Sequence, residues 1–138
     1  MDPEVRRYID EKIGTPYEVN GRGPNSFDCF GLTVDYFREV RGKNIEASFE
    51  EVPDGWHRDK KYRDYKKRLL ATHGEWVKEP QEDCIVLISS TGDREIDHIG
   101  VYLGEDKILN TGKHGVFVTR LSALLRMKRV RGYIRVKD

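Results

Sequence analysis

Cys29 and His98 are the two side chains whose types and settings suit covalent chemistry. Cys29 lies in Phe27-Asp28-Cys29-Phe30-Gly31-Leu32, directly before a stretch with helical periodicity. About 70 residues later, His98 opens the apolar run Ile99-Gly100-Val101-Tyr102-Leu103-Gly104, which reads as a strand. A thiol at a helix N-terminus is acidified by the helix dipole and by backbone N–H groups that lack helical acceptors. The same N–H groups can hold an oxyanion during acyl transfer. An imidazole beside the thiol serves as base and then as acid. A third polar residue usually orients the ring. Asn110 suits that role: with Gly104-Glu105-Asp106 as a turn, residues 98–103 and 107–112 pair as a hairpin and bring Asn110 roughly opposite His98. His114, in the turn Gly112-Lys113-His114-Gly115, competes for it but ranks lower, because turn tips point outward.

Each of these residues also has a plainer reading. A cysteine at a helix start is often a small buried apolar residue, and a histidine on a strand is often a satisfied interior group. Cys84 lies inside an apolar run and reads as core. His57 and His73 lie in charged or loop surroundings and read as solvated. Asp28 is either a helix N-cap, a role shared with Ser26, or a partner for a substrate ammonium group. No Cys-x-x-Cys or His-Glu-x-x-His spacing occurs, so neither a metal nor a cofactor is expected.

The elements that would position these residues follow from periodicity and punctuation. Pro3 to Ile13 reads as an amphipathic helix with Val5, Tyr8, Ile9 and Ile13 on one face, ended by Gly14. A Gly-, Pro- and Asn-rich loop runs to Ser26. Cys29 to Arg41 reads as a helix with Phe30, Thr33, Val34, Phe37 and Val40 recurring at i, i+3, i+4, stopped by Gly42. Residues 43–56 read as irregular, and Asp59 to Ala71 as a charged surface helix. Strands are expected at Ile85–Ser89, His98–Leu103, Lys107–Asn110, Val116–Arg120 and Gly132–Val136, with a short helix at Leu121–Met127. Helices first and an antiparallel sheet second is an α+β pattern.

The chain has 138 residues, enough for one domain with a real core, and residues 1–138 are read as a single unit. Lys plus Arg number 25 against 24 for Asp plus Glu, so no strongly charged partner is implied. The basic stretch Arg58–Arg68 interleaves seven Lys or Arg with Tyr62 and Tyr65, a pattern that can stack nucleic-acid bases. Asp59 and Asp64 interrupt it, so a solvated helix face is the preferred reading and no nucleic-acid partner is expected. Two cysteines make no disulfide framework. No apolar segment follows the polar N-terminus and none approaches the length of a membrane span. The expectation is cytoplasmic synthesis without a signal peptide.

These residues resemble the NlpC/P60 family of papain-like cysteine peptidases. The family carries aromatic-Asp-Cys-x-Gly-Leu at a helix start, then His-x-Gly-hydrophobic-Tyr-hydrophobic-Gly, with a polar third residue twelve positions after the histidine. Here those are Phe27 to Leu32, His98 to Gly104, and Asn110. Gly14-Thr15-Pro16-Tyr17 matches the family's Gly-x-Pro-Tyr, and Pro80-Gln81-Glu82-Asp83 resembles its Pro-x-x-Gly-Asp. The resemblance implies a papain-like fold, with the nucleophile at a helix N-terminus packed on the sheet. It also implies catalytic Cys29, His98 and Asn110, substrate or oxyanion contacts from Tyr17, Asp28 and Phe30, and a peptidoglycan stem peptide cut between D-glutamate and a diamino acid.

The chain departs from the common cell-wall pattern at three places. Phe30 replaces a serine that helps recognise the stem peptide's free amino end, Glu82 replaces a glycine, and Asn110 stands where histidine is more frequent. The aromatic Phe30, the Tyr36-Phe37-Arg38-Glu39 run and the Trp76 to Gln81 segment resemble the phage-tail and gene-transfer-particle branch. That branch implies tail proteins as partners and action in the periplasm or wall after delivery on a virion. The competing expectation is a structural tail-assembly protein with a degenerate site, in which Phe30 fills a former substrate pocket.

Overall fold

The computed structural model of the chain describes residues 1–45, 53 and 55–137. Its elements are α1 (Pro3–Lys12), α2 (Cys29–Arg41), a 3-10 turn (Trp56–Arg58), α3 (Lys60–His73), β1 (Gly74–Val77), β2 (Ile85–Ile88), β3 (His98–Gly104), β4 (Lys107–Gly112), β5 (Gly115–Arg120), α4 (Leu121–Arg126) and β6 (Val130–Val136). The six strands form one antiparallel sheet in the order β1-β6-β2-β3-β4-β5. This is the α+β arrangement expected from the sequence.

Alternation along the strands gives the sheet two covered faces. Ile85, Leu87, Ile99, Val101, Leu109 and Ile134 pack with Val5, Tyr8, Leu32 and Tyr36 from α1 and α2. Cys84, Val86, Ile88, Ile108 and Tyr133 pack on the other side with Leu121 of α4. Helix α2 lies across β3 and β4. Its residues Cys29 to Phe37 are all buried, because α1 and the 14–28 loop cover the side turned away from the sheet.

Polar ties fix the helices to each other and to the sheet. Tyr8 donates its hydroxyl to Asp35 at 2.6 Å, which also pairs with Arg38 at 2.9 Å. Tyr36 donates to Asp83 at 2.6 Å just before β2, and Arg41 pairs with the same carboxylate at 2.6 Å. Burial, then the neighbouring carboxylate, holds both tyrosines above their ordinary pKa. Gly42, at φ +65°, ends α2 by donating its N–H to Arg38 and Phe37.

Two expectations need correction. Ile13 is exposed rather than on the buried face of α1, because the helix ends at Lys12 and the chain turns away through Gly14 to bond Val116 of β5. Strand β1 was not expected. It is a four-residue edge strand that, among the described residues, pairs only with β6 and, with Trp76 largely exposed, shows little apolar pattern. The charged surface helix expected from Asp59 to Ala71 is α3, whose described side chains are exposed or half-buried and two of which, Arg63 and Lys67, border the site described next. The irregular reading of 43–56 falls mostly on residues 46–52 and 54, outside the described residues, as do the side chains of His57 and His73.

Candidate active site

Asp28 sets the start of α2. Its Oδ1 accepts the Gly31 N–H at 2.6 Å, capping the helix, and pairs with Arg22 at 3.1 Å; its Oδ2 accepts the Asn20 N–H at 2.9 Å. The side chain is buried. Both oxygens are thus engaged within the chain, and the N-cap reading describes Asp28 better than that of an ammonium partner. Ser26 is not the cap. Gly31 lets the 14–28 loop approach: a Cβ there would lie 1.9 Å from the Gly21 carbonyl oxygen. The loop is further held by a bridge between Tyr17 and Phe27. Cys29 is thereby the first residue of α2, where backbone N–H groups have no acceptor within the helix.

His98 opens β3, pairing with Ile88 of β2. Its Nε2 lies 3.1 Å from Asn110 Oδ1. The Asn110 amide nitrogen donates to the carbonyls of Ile108 at 3.3 Å and Phe117 at 3.5 Å. Those two acceptors fix the amide orientation, so Oδ1 faces the ring and Nε2 must carry the hydrogen. Nδ1 is left with its lone pair and can accept a proton. Burial holds the ring below its ordinary pKa near 6.5, opposed by the Asn110 hydrogen bond and the charge of Asp97. That direction favours the uncharged imidazole, the form that can act as a base.

Cys29 and His98 border one narrow cavity of about 20 Å³. Phe30 of α2 and Leu87 of β2 line it, as do Trp56 of the 3-10 turn and Arg63 and Lys67 of α3. Sequence reasoning missed these last three; only the chain's tertiary path brings them to the thiol. Arg63 pairs with Glu95 at 3.2 Å, on the loop leading to β3. Phe30 is buried, with the Arg22 guanidinium 5.7 Å from its ring centre. Tyr17 is exposed and borders a second, wider recess that contains His98 and Asn110.

The remaining candidates lie elsewhere. Cys84 is buried in the second core cluster, where burial raises its thiol pKa, and no disulfide joins it to Cys29. His114 is exposed at the β4–β5 turn, and Asn110 rather than His114 meets the ring. Among the described residues no group of three His, Cys, Asp or Glu is placed to hold a metal ion, and no helix is long and apolar enough to cross a membrane.

Residues 14–135 match the NlpC/P60 family. The chain belongs to that family. Its members are typically peptidoglycan hydrolases that act as cysteine peptidases. Solved NlpC/P60 structures share the fold at low identity. The NlpC/p60 domain of the peptidoglycan hydrolase SagA matches with a TM-score of 0.61 and 18% identity, covering 96% of each chain. An NlpC/P60 protein from Bacillus cereus ATCC 10987 matches with a TM-score of 0.68 and 18% identity, over 98% of this chain and 40% of its own. NlpC2 from Trichomonas vaginalis matches with a TM-score of 0.63 and 17% identity, over 94% of this chain and 45% of its own. The chain thus spans less than half the length of the latter two. No curated protein sequence matches it.

Proposed function

We propose that this NlpC/P60 domain is a cysteine peptidase hydrolysing an amide bond of peptidoglycan stem peptides, with Cys29, His98 and Asn110 as its catalytic group. The observation that carries this reading is the shared cavity of the thiol and an imidazole whose Nε2–H is held by Asn110. His98 Nδ1 takes the proton from Sγ, and the thiolate adds to the amide carbonyl carbon. The oxyanion is held by the Cys29 N–H at the helix start, while Tyr17 borders the neighbouring recess that it shares with His98. Collapse breaks the C–N bond, and His98 delivers its proton to the departing amine. Water, losing a proton to His98, then adds to the thioester; collapse releases the carboxylic acid and restores the thiol. Asn110 holds the ring through both steps, and Asp28 holds the helix start rather than the substrate.

The test is incubation of purified muropeptides with the protein and with Cys29→Ala. The expected result is release of new free amino groups by the wild type and none by the variant. Equal release by both would remove Cys29 from the mechanism.

The narrowness of the cavity, with buried Phe30 and Trp56 along it, favours a second reading: a structural protein of tail assembly whose site no longer admits substrate. Iodoacetamide alkylation across pH separates the two. A catalytic thiolate reacts well below the ordinary thiol pKa of about 8.5, whereas a relict thiol follows that value or is inert. In either reading the sequence pattern around Phe30 and Trp76 supports a place in phage-type tails. Immunolabelling of purified tail particles checks this, and particles that carry no label would remove it.

A further inference from the structure

His98 borders two recesses, and the peptidase mechanism uses only one of them fully. The first contains the Cys29 thiol. The second, of about 490 Å³, contains the ring and Asn110 but not Cys29, and runs past Lys113, Phe117 and Arg129. Lys113 is exposed and Arg129 half-buried, and among the described residues neither side chain has an ion-pair or hydrogen-bond partner. The one carboxylate bordering the recess, Asp97, accepts the Ser90 N–H at 2.8 Å. Cations therefore outnumber carboxylates there, in a chain that is otherwise nearly balanced. Thr111, also on the lining, has a buried hydroxyl without a hydrogen-bond partner among the described residues. Phe117 adds an exposed apolar ring beside the cations.

The position of this recess assigns it to one half of the substrate. In amide cleavage by a thiol and an imidazole, the sulfur keeps the acyl half while the ring protonates the departing amine. A recess that shares the ring but not the sulfur lies on the amine side. We propose that Lys113 and Arg129 form a carboxylate-binding subsite for the leaving half, so that the enzyme prefers an amine product carrying a free carboxylate. This rests on the peptidase reading of Cys29 and His98. Arg129 supplies a planar fork matched to a carboxylate, Lys113 a mobile point charge, and Phe117 a surface for the aliphatic stem. Solvent exposure limits the gain to about tenfold.

Two synthetic substrates test this, identical except that the leaving diamino acid bears either a free α-carboxylate or its carboxamide. The wild type is expected to favour the carboxylate about tenfold in kcat/KM, and the double variant Lys113→Gln/Arg129→Gln to bring that ratio to about one. The preference is also expected to shrink as salt is raised. Equal rates in the wild type, or a preference that survives the double substitution, would overturn the subsite while leaving the peptidase reading intact. If the wild type hydrolyses neither substrate, the peptidase reading fails, and binding decides the subsite. In Cys29→Ala, NMR titration with the free leaving dipeptide is expected to shift the Lys113 and Arg129 signals and to bind about tenfold more weakly as the carboxamide. Equal binding of both forms would overturn it.

Discussion

Asn110 decides which nitrogen of His98 carries the hydrogen, and so which one is left to accept a proton. Its amide is pinned by two backbone carbonyls, leaving Oδ1 as the ring's acceptor. Asn110→Ala removes that acceptor and lets the ring turn. It is expected to lower kcat about 10–100-fold with little change in KM, since the loss is one of alignment. Asn110→His, which restores a polar ring partner, is expected to recover part of the rate. The pH profile separates alignment from general damage. Burial keeps His98 below its ordinary pKa, so the acidic limb of kcat/KM is expected below about 6.5. The Asn110 hydrogen bond works against that lowering. Its removal should move the limb to still lower pH, whereas a merely unfolded fraction would scale the whole profile without moving it. Cys29, His98 and Asn110 stood out as candidates in the sequence because cysteine and histidine are scarce in it and their settings are local. Asp28's full engagement was not legible there, since two of its partners, Asn20 and Arg22, come from a loop whose path no periodicity describes.

The start of α2 is the element on which the thiol's position depends. Both ends of this helix were legible to the residue, because Asp28 and Gly42 are chemical stop signals written into the chain. What was not legible is the contact of its first turn with the Gly21 backbone, which depends on a side chain that Gly31 lacks. Gly31→Ala places a methyl group 1.9 Å from a carbonyl oxygen that the surrounding bridges hold in place. It is expected to cost at least about 2 kcal/mol in chemical denaturation, from overpacking, and to abolish hydrolysis because the loop carrying Tyr17 and Asp28 must move. Gly42→Ala is the control at the other end of the same helix. Among the described residues nothing lies within 4 Å of its would-be Cβ, so only the strain of φ +65° is added. About 1 kcal/mol is expected there, with hydrolysis retained. Equal effects at the two ends would mean that α2 tolerates change at the thiol as freely as at its tail. Strand β1 shows the opposite limit of legibility: four edge residues with an exposed Trp76 carry no strand signal until β6 is there to pair with them.

At the scale of the molecule, the site is a seam between a helical layer and a sheet, and its geometry lasts only while the layers stay in register. Apolar contact alone is non-directional. Direction comes from the polar ties, chiefly Asp83, which receives the Tyr36 hydroxyl and the Arg41 guanidinium from successive turns of α2 just before β2 begins. The order of helices and strands was legible because periodicity is local. The ties were not, because Tyr36 and Asp83 are 47 residues apart in the chain. Tyr36→Phe isolates one tie with almost no change in shape. The Tyr36 side chain is fully buried, and the Asp83 carboxylate keeps its Arg41 partner in the variant. The loss is then that of one charge-assisted hydrogen bond, about 1.5–3 kcal/mol, without an orphaned charge. For a chain of this size that is a fall in Tm of roughly 5–12 °C. Tyr36 lies about two turns along α2 from Cys29, some 10 Å away on the helix rise. At temperatures well below the new Tm, kcat/KM is therefore expected to stay within about twofold of wild type. An unchanged Tm would show that the tie carries no stability. A tenfold loss of kcat/KM in the folded variant would show instead that Asp83 sets the placement of the thiol over the sheet.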